Sequence, residues 1–190
     1  AKSLSKFDLV ERTLSVVEGK NSWQVGDNQR LTAGLEWRKD ESEGTRILKP
    51  GSIGKTVSYV TDYGTKTSPS DEASLEYRAA YLQDEWQAGG KLLVIPSVRY
   101  DWSDEFSSEV TPRLGMTYKA QEGLRIKAVV GKGYKTPTVN ELYHNFEMVT
   151  GSMMSTGQFF AGNPDVKPEH STDYELAVEK DWDKTTARVG

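Results

Sequence analysis

Apolar and polar residues alternate, one by one, through segment after segment of this chain. Leu92, Val94, Pro96, Val98, Tyr100 and Trp102 share one face, and Leu93, Ile95, Ser97, Arg99 and Asp101 share the other. Val110, Pro112, Leu114, Met116 and Tyr118 oppose Thr111, Arg113, Gly115 and Thr117. The same period sets Leu124, Ile126, Ala128 and Val130 against Arg125, Lys127 and Val129, and Leu31, Ala33, Leu35 and Trp37 against Thr32, Gly34, Glu36 and Arg38. It recurs in Tyr174, Leu176 and Val178 against Asp173, Glu175, Ala177 and Glu179. A period of two is that of a strand with one apolar face. From Ala73 to Gln87 the pattern is less clean, and Leu75, Tyr77, Ala79 and Tyr81 form the better apolar face. Residues 6–18 fit no template clearly. Pro96 and Pro112 stand inside alternating runs, where a central strand would lack their N–H, so a bulge or strand end is expected at each.

The connections sort by strand parity. Those after odd strands are compact: Gly89-Gly90, Gln121-Glu122-Gly123 and residues 181–184, with a longer link from Gly19 to Asn28. Those after even strands span 42–72, 103–108 and 134–171. In an up-and-down meander, parity fixes the side on which a connection lies. The two long ones therefore share one end, as the external loops of outer-membrane barrels do, and the tight turns share the other. Tyr100 and Trp102 then mark one interface, and Trp86, Tyr118 and Trp182 the other. The expected fold is all-β: an antiparallel meander of about eight strands from a larger transmembrane β-barrel, with a short helix at 138–146 in the long connection.

Composition agrees. Only 36% of the 190 residues are apolar, yet 10% are aromatic, and mean hydropathy is −0.64. A soluble core would be short of aliphatics, whereas a barrel needs an apolar band on its outer face alone. A net charge of −4 with mixed signs and no basic patch excludes a nucleic-acid partner. The absence of cysteine removes disulfide and thiolate chemistry, and no apolar run is long enough for a membrane helix. The chain opens without a signal peptide and stops inside an apparent strand, so it reads as a segment of a longer protein. All 190 residues form one partial barrel domain in that reading.

Candidate chemistry is sparse. His144 and His170 are the only histidines. Glu141 and His144 have the i, i+3 spacing of two ligands on one helix face, but one such pair is too few for a closed metal site. No nucleophile elbow is present, and Gly131-Lys132-Gly133 lacks the rest of a phosphate loop. Neither enzyme chemistry, a metal nor a cofactor is expected. Two groups remain. Arg38, Arg99, Asp101, Arg113, Arg125, Lys127 and Glu175 fall on polar strand faces that would line a wet lumen or meet a polar partner inside it. Tyr143, His144, Phe146, Met153, Met154, Phe159 and Phe160 lie in the 134–171 connection, suited either to wrapping a ligand or to packing on themselves.

Two corners in that connection resemble a known family. Tyr134-Lys135-Thr136-Pro137 with Asn140-Glu141-Leu142-Tyr143 is similar to the aromatic-basic-Ala-Pro box of TonB-dependent outer-membrane receptors. The run from Gly162 through Asn163, Pro164, Asp165, Val166, Lys167 and Pro168 to Glu169 resembles their Asn-Pro-Asn-Leu-x-Pro-Glu box. Val110-Thr111-Pro112-Arg113-Leu114-Gly115 looks like the family's Pro-Arg strand, and residues 80–86 look like another barrel strand. Thr136 stands for Ala, and Asp165-Val166 for Asn-Leu. The resemblance covers roughly residues 29–190. It implies a barrel of about 22 strands around a plug, set in the outer membrane of a diderm bacterium and contacting its lipid. The implied activity is import of a scarce nutrient with energy relayed by the TonB complex. Neither the plug nor the TonB-contacting segment is recognisable here. An iron-siderophore or similar metal chelate is the expected ligand. Haem is an alternative through His144, which lies between the two corners, and a soluble all-β ligand- or carbohydrate-binding module is the rival outside the family. An isolated segment would expose cut strand edges and self-associate through them.

Overall fold

The computed structural model describes residues 9–61, 64–148 and 158–190. Its strands are β1 (Val10–Val25), β2 (Gln29–Gly44), β3 (Lys55–Thr61), β4 (Gly64–Gln87), β5 (Leu92–Ser103), β6 (Glu109–Gln121) and β7 (Leu124–Lys135). A helix α1 (Val139–Tyr143) follows, then β8 (Asn145–Met148), β9 (Gln158–Ala161), β10 (Glu169–Trp182) and β11 (Thr185–Val189). The main sheet runs β1-β2-β4-β5-β6-β7-β10-β11, with β3 hairpinned onto β4 and β8–β9 as a separate pair. This is the expected eight-strand antiparallel meander.

Parity holds. The connections after β1, β4, β6 and β10 are tight, and those after β2 and β7 are long. At Gly123, φ is +65° and an added Cβ would lie 2.6 Å from the Asp181 carbonyl oxygen, so the β6–β7 turn needs glycine. Several boundaries differ from the sequence reading. β1 continues to Val25, so the link from Gly19 shrinks to residues 26–28, and the unclear N-terminal run from Val10 onward is strand. The 42–72 connection holds the β3–β4 hairpin. Trp182 ends β10 instead of sitting in the turn.

Register fixes the faces. Val98 pairs with Leu82 and Pro112, Leu114 with Val130, and Ala128 with Leu176. These residues form one apolar face, and Val98, Leu82, Val130 and Leu176 are exposed on it. Arg99 pairs with Tyr81 and Thr111 on the opposite, polar face. This corrects the assignment for β4. Tyr77, Ala79 and Tyr81 stand on the polar face, whereas Ala80, Leu82 and Trp86 join the apolar one. Tyr81 is suited to its side because its hydroxyl donates to Glu18 Oε1 at 2.6 Å. Its ring also fills the space over Gly34, where a Cβ would come within 2.3 Å.

Both prolines stand where a ladder lapses. The β4–β5 register passes from Gln83–Ser97 to Trp86–Val94, and so omits Pro96, which stays opposite Leu114 on β6. Pro112 lies one residue beyond Arg113–Gly131, where β6–β7 pairing ends. A residue without an N–H therefore loses no ladder bond on that side.

The chain divides into two compact units. The ladder unit holds Val17–Trp37, Tyr77–Lys135 and Pro168–Gly190, and the connection unit holds Ala1–Val16, Arg38–Glu76 and Thr136–Lys167. Ile47, Ala73, Leu75, Val139 and Leu142 are the buried hydrophobics of the connection unit among the described residues.

Candidate functional site

In the ladder unit, strand alternation brings charged side chains into ion-paired clusters on the polar face. Arg99 donates to Glu36 Oε2 at 3.1 Å and to Asp101 Oδ1 at 2.9 Å. Arg125 donates to Glu179 and, at 2.6 Å, to Asp181 Oδ2, while Lys127 Nζ lies 2.7 Å from Glu179 Oε2. Glu179 thus serves two cations, and its side chain is 12% exposed. Charge-assisted bonds of this kind fix geometry more than they add stability at a wet surface. Of the expected polar-face residues, Arg99 with Asp101, and Arg125 with Lys127, are brought together. Glu175 pairs with Arg188 of β11 instead of with them. Arg113 is exposed and borders a cleft of about 220 Å³ beside Arg99 and Lys132. Arg38 follows Glu36 by two positions on β2 and so shares its strand face. The sequence reading missed Glu179 and Asp181 as partners of Arg125, although they follow Glu175 by four and six positions and so share its strand face.

In the connection unit, the two sequence corners clasp each other. Thr138 caps α1 in a reciprocal capping box: its Oγ1 accepts from the Glu141 N–H at 3.3 Å, and Glu141 Oε2 accepts from the Thr138 N–H at 2.7 Å. The far end of α1 is met by the second corner. The Gly162 N–H donates to the His144 carbonyl at 2.6 Å, and the Asn163 N–H donates to the Glu141 carbonyl at 2.8 Å. A Cβ on Gly162 would lie 2.5 Å from backbone atoms of Leu142, Tyr143 and His144. No other residue fits there. Asn163 Oδ1 accepts from the Asp165 N–H at 2.9 Å and turns the chain away. The helix itself is shorter than the expected 138–146, because His144 already has extended backbone.

A third segment joins this clasp. Ile47 and His144 form an antiparallel bridge, with the Leu48 N–H donating to the Tyr143 carbonyl at 3.0 Å and the Asn145 N–H to the Arg46 carbonyl at 2.7 Å. Behind it, Asp71 holds the 49–52 turn, accepting from the Lys49 N–H at 3.0 Å and from the Glu72 N–H at 2.9 Å. Burial works against ionisation of Asp71. The Lys49 and Glu72 N–H bonds, the Ser52 hydroxyl and the Lys49 charge outweigh it and hold the carboxyl below its ordinary range.

Between the 48–52 turn and the α1–β8 junction lies a cleft of about 250 Å³. Tyr143 and His144 both line it. Phe146 pairs with Phe160 through the β8–β9 backbone ladder, Phe159 pairs with Glu147, and Phe160 is exposed. Met153 and Met154 lie outside the described residues. Among the described residues no cluster of three metal-ligating side chains occurs.

A family model described as TonB dependent receptor-like, beta-barrel, matches residues 5–190. The vitamin B12 transporter BtuB of Photobacterium profundum is 29% identical over 168 residues, covering 88% of this chain and 22% of that protein. The ferric enterobactin receptor PirA of Pseudomonas aeruginosa is 27% identical over 157 residues, covering 80% of this chain and 21% of that protein. The crystal structure of the siderophore receptor PirA from Pseudomonas aeruginosa superposes with a TM-score of 0.74 at 22% identity, over 96% of this chain and 32% of that one. The copper transporter OprC superposes with a TM-score of 0.69 at 14% identity, over 95% of this chain and 29% of that one. The structural likenesses bear on fold alone. The chain spans about a fifth of the length of the curated relatives it matches.

Proposed function

The chain belongs to the TonB-dependent receptor β-barrel family, and from that premise we propose that it is a portion of the barrel wall of an outer-membrane receptor importing a scarce metal chelate, an iron-siderophore before others. What supports this reading above all is the two-faced meander. Val98, Leu82 and Leu176 are exposed on one face, as lipid contact requires, and the opposite face carries the Arg99 and Arg125 clusters, as a wet, plug-filled lumen requires. The polar-face residues Arg38, Arg99, Asp101, Arg113, Arg125, Lys127 and Glu175 meet water or plug. The connection unit supplies the ligand contacts, with Tyr143 and His144 foremost because they line a cleft. A soluble carbohydrate module has no use for the exposed apolar face.

The test is uptake in whole cells of the source bacterium with and without the gene for the full receptor. Loss of radio-iron uptake from at least one ferric siderophore, reproduced by abolishing the membrane potential, is the expected result. Unchanged uptake of ferric siderophores, haem and cobalamin alike would overturn the reading.

Haem is the second reading, favoured by the presence of His144 in that cleft. Titration of the purified receptor with haemin is expected to give at most a weak Soret shift, unaltered in His144→Ala. A strong His144-dependent band would put haem first.

A further inference from the structure

We infer that the seam between β6 and β7, at the end of the sheet bearing the long connections, is closed by a proton-dependent latch. Its parts are His170 of β10, Tyr134 of β7 and Glu109 of β6.

The seam follows from the sequence. Pro112 has no N–H to give to a ladder, and the β6–β7 register ends at Arg113–Gly131. Both strands nevertheless continue, β6 back to Glu109 and β7 on to Lys135. Each is held there by its other neighbour, through Asp101–Glu109 on one side and Lys135–Glu169 on the other. Residues 109–112 and 132–135 therefore border a seam without ladder rungs, and the ribbons β5–β6 and β7–β10 can part along it.

Side chains tie what the backbone leaves open. The Tyr134 hydroxyl donates to the Ser107 carbonyl at 3.3 Å, a bond between uncharged groups. His170 stands opposite Tyr134 in the β7–β10 ladder, its ring 5.6 Å from the phenol ring and tilted by 45°. Its Nδ1 lies 3.8 Å from Glu109 Oε1. That distance is too long for a hydrogen bond, so a neutral imidazole gains little from Glu109, whereas an imidazolium is attracted to it. Histidine is the side chain that changes charge between pH 5 and 8. The tie therefore tightens as pH falls through that range and slackens as it rises.

The surrounding charges leave Glu109 as the partner. On β10, Glu169 is paired with Lys135 of β7 at 3.4 Å. On β5, Asp101 is engaged by Arg99 at 2.9 Å. The 104–108 connection holds Glu105 and Asp104, the latter paired with Arg78 at 3.5 Å. Lys132, two residues before Tyr134 and so on the same strand face, opposes a second positive charge. The His170 and Glu109 side chains are 56% and 28% exposed, so solvent limits the pair to a few-fold effect on opening.

The experiment is hydrogen exchange of the purified full-length receptor in lipid nanodiscs, read by mass spectrometry at about pH 5.5 and 7.5 and corrected for the intrinsic chemical rate. Peptides covering 109–112 and 132–135 are expected to open about threefold less at the lower pH, with those covering 114–120 unchanged. His170→Gln and, separately, Glu109→Gln should each remove that difference, while Tyr134→Phe should raise opening at both pH values and keep it. Heat-modifiable mobility checks that each variant is a folded barrel, and the two charge variants lie on different strands, so either one suffices. Equal wild-type protection at both pH values overturns the inference. So does a pH difference that survives His170→Gln or Glu109→Gln in a folded barrel, or one shared by 114–120, which would belong to the whole wall.

Discussion

The ladder unit and the connection unit solve the same problem, satisfying backbone polar groups, by opposite means. In the ladder unit β4, β5 and β6 each pair with the next strand in sequence by simple hairpins. Side chains then decide only which face meets which medium. In the connection unit the partners are remote: Arg46–Leu48 bond to Tyr143–Asn145, and Gly162–Asn163 bond to Glu141–His144. Side chains there decide whether the backbone can meet at all. The lesson is that a substitution is judged by polarity in one unit and by volume in the other.

The sharpest way to break that contrast is at Gly162. Gly162→Val is expected to destabilise the clasp by about 4 kcal/mol or more, because rigid backbone on three residues cannot move away. Limited proteolysis of the full receptor should then cleave within 136–167 while the heat-modifiable mobility of the barrel is kept. An intact connection would refute the volume rule.

Polarity comes next. Val98→Arg, on the apolar face, is expected to cost about 2–4 kcal/mol in folding into lipid, and Ser97→Arg on the polar face under about 1 kcal/mol. Urea titration of both variants in phospholipid vesicles measures the difference. Equal costs would mean that the faces are wrongly assigned.

A smaller effect sits at the capping box. Thr138→Ala removes the hydroxyl that accepts from Glu141 and is expected to cost about 1 kcal/mol, seen as faster amide exchange in α1 with β5–β7 unchanged. The smallest concerns Asp71. Its carboxyl is held below the ordinary value of 3.8, so its contribution is complete above that pH and is lost as pH falls through the lower, folded value. Exchange of the Lys49 and Glu72 amides should accelerate below pH 3.8 and do so less in Asp71→Asn. Identical acid profiles for the two proteins would remove Asp71 from the turn's support.

How much of this was legible in the residues follows from the same contrast. Alternation exposed the faces of β2, β5, β6, β7 and β10, because the charged residues of each alternating run fall on one side only. It misled in β4, where Tyr77 and Tyr81 read as apolar although a phenol that reaches Glu18 belongs with the polar side. The prolines looked like obstacles because a ladder lapse depends on the neighbouring strand. The two corners were visible as motifs, but their meeting was not. The Ile47–His144 bridge joins segments far apart in sequence, and no local period announces such a bond. Lys49 and Asp71 were overlooked for the same reason.

The β8–β9 ladder carries one more implication. Its rungs run from Asn145–Ala161 to Met148–Gln158, and its base is locked by Gly162. Met148 and Gln158 are therefore the two free ends of a fixed bracket. Doubling the length of a chain that joins two such ends costs only about 0.6 kcal/mol in closure entropy, and the bracket does not depend on what it carries. This is a cassette boundary: a lineage, or an engineer, can exchange the sequence between these two residues and leave the bracket unaltered.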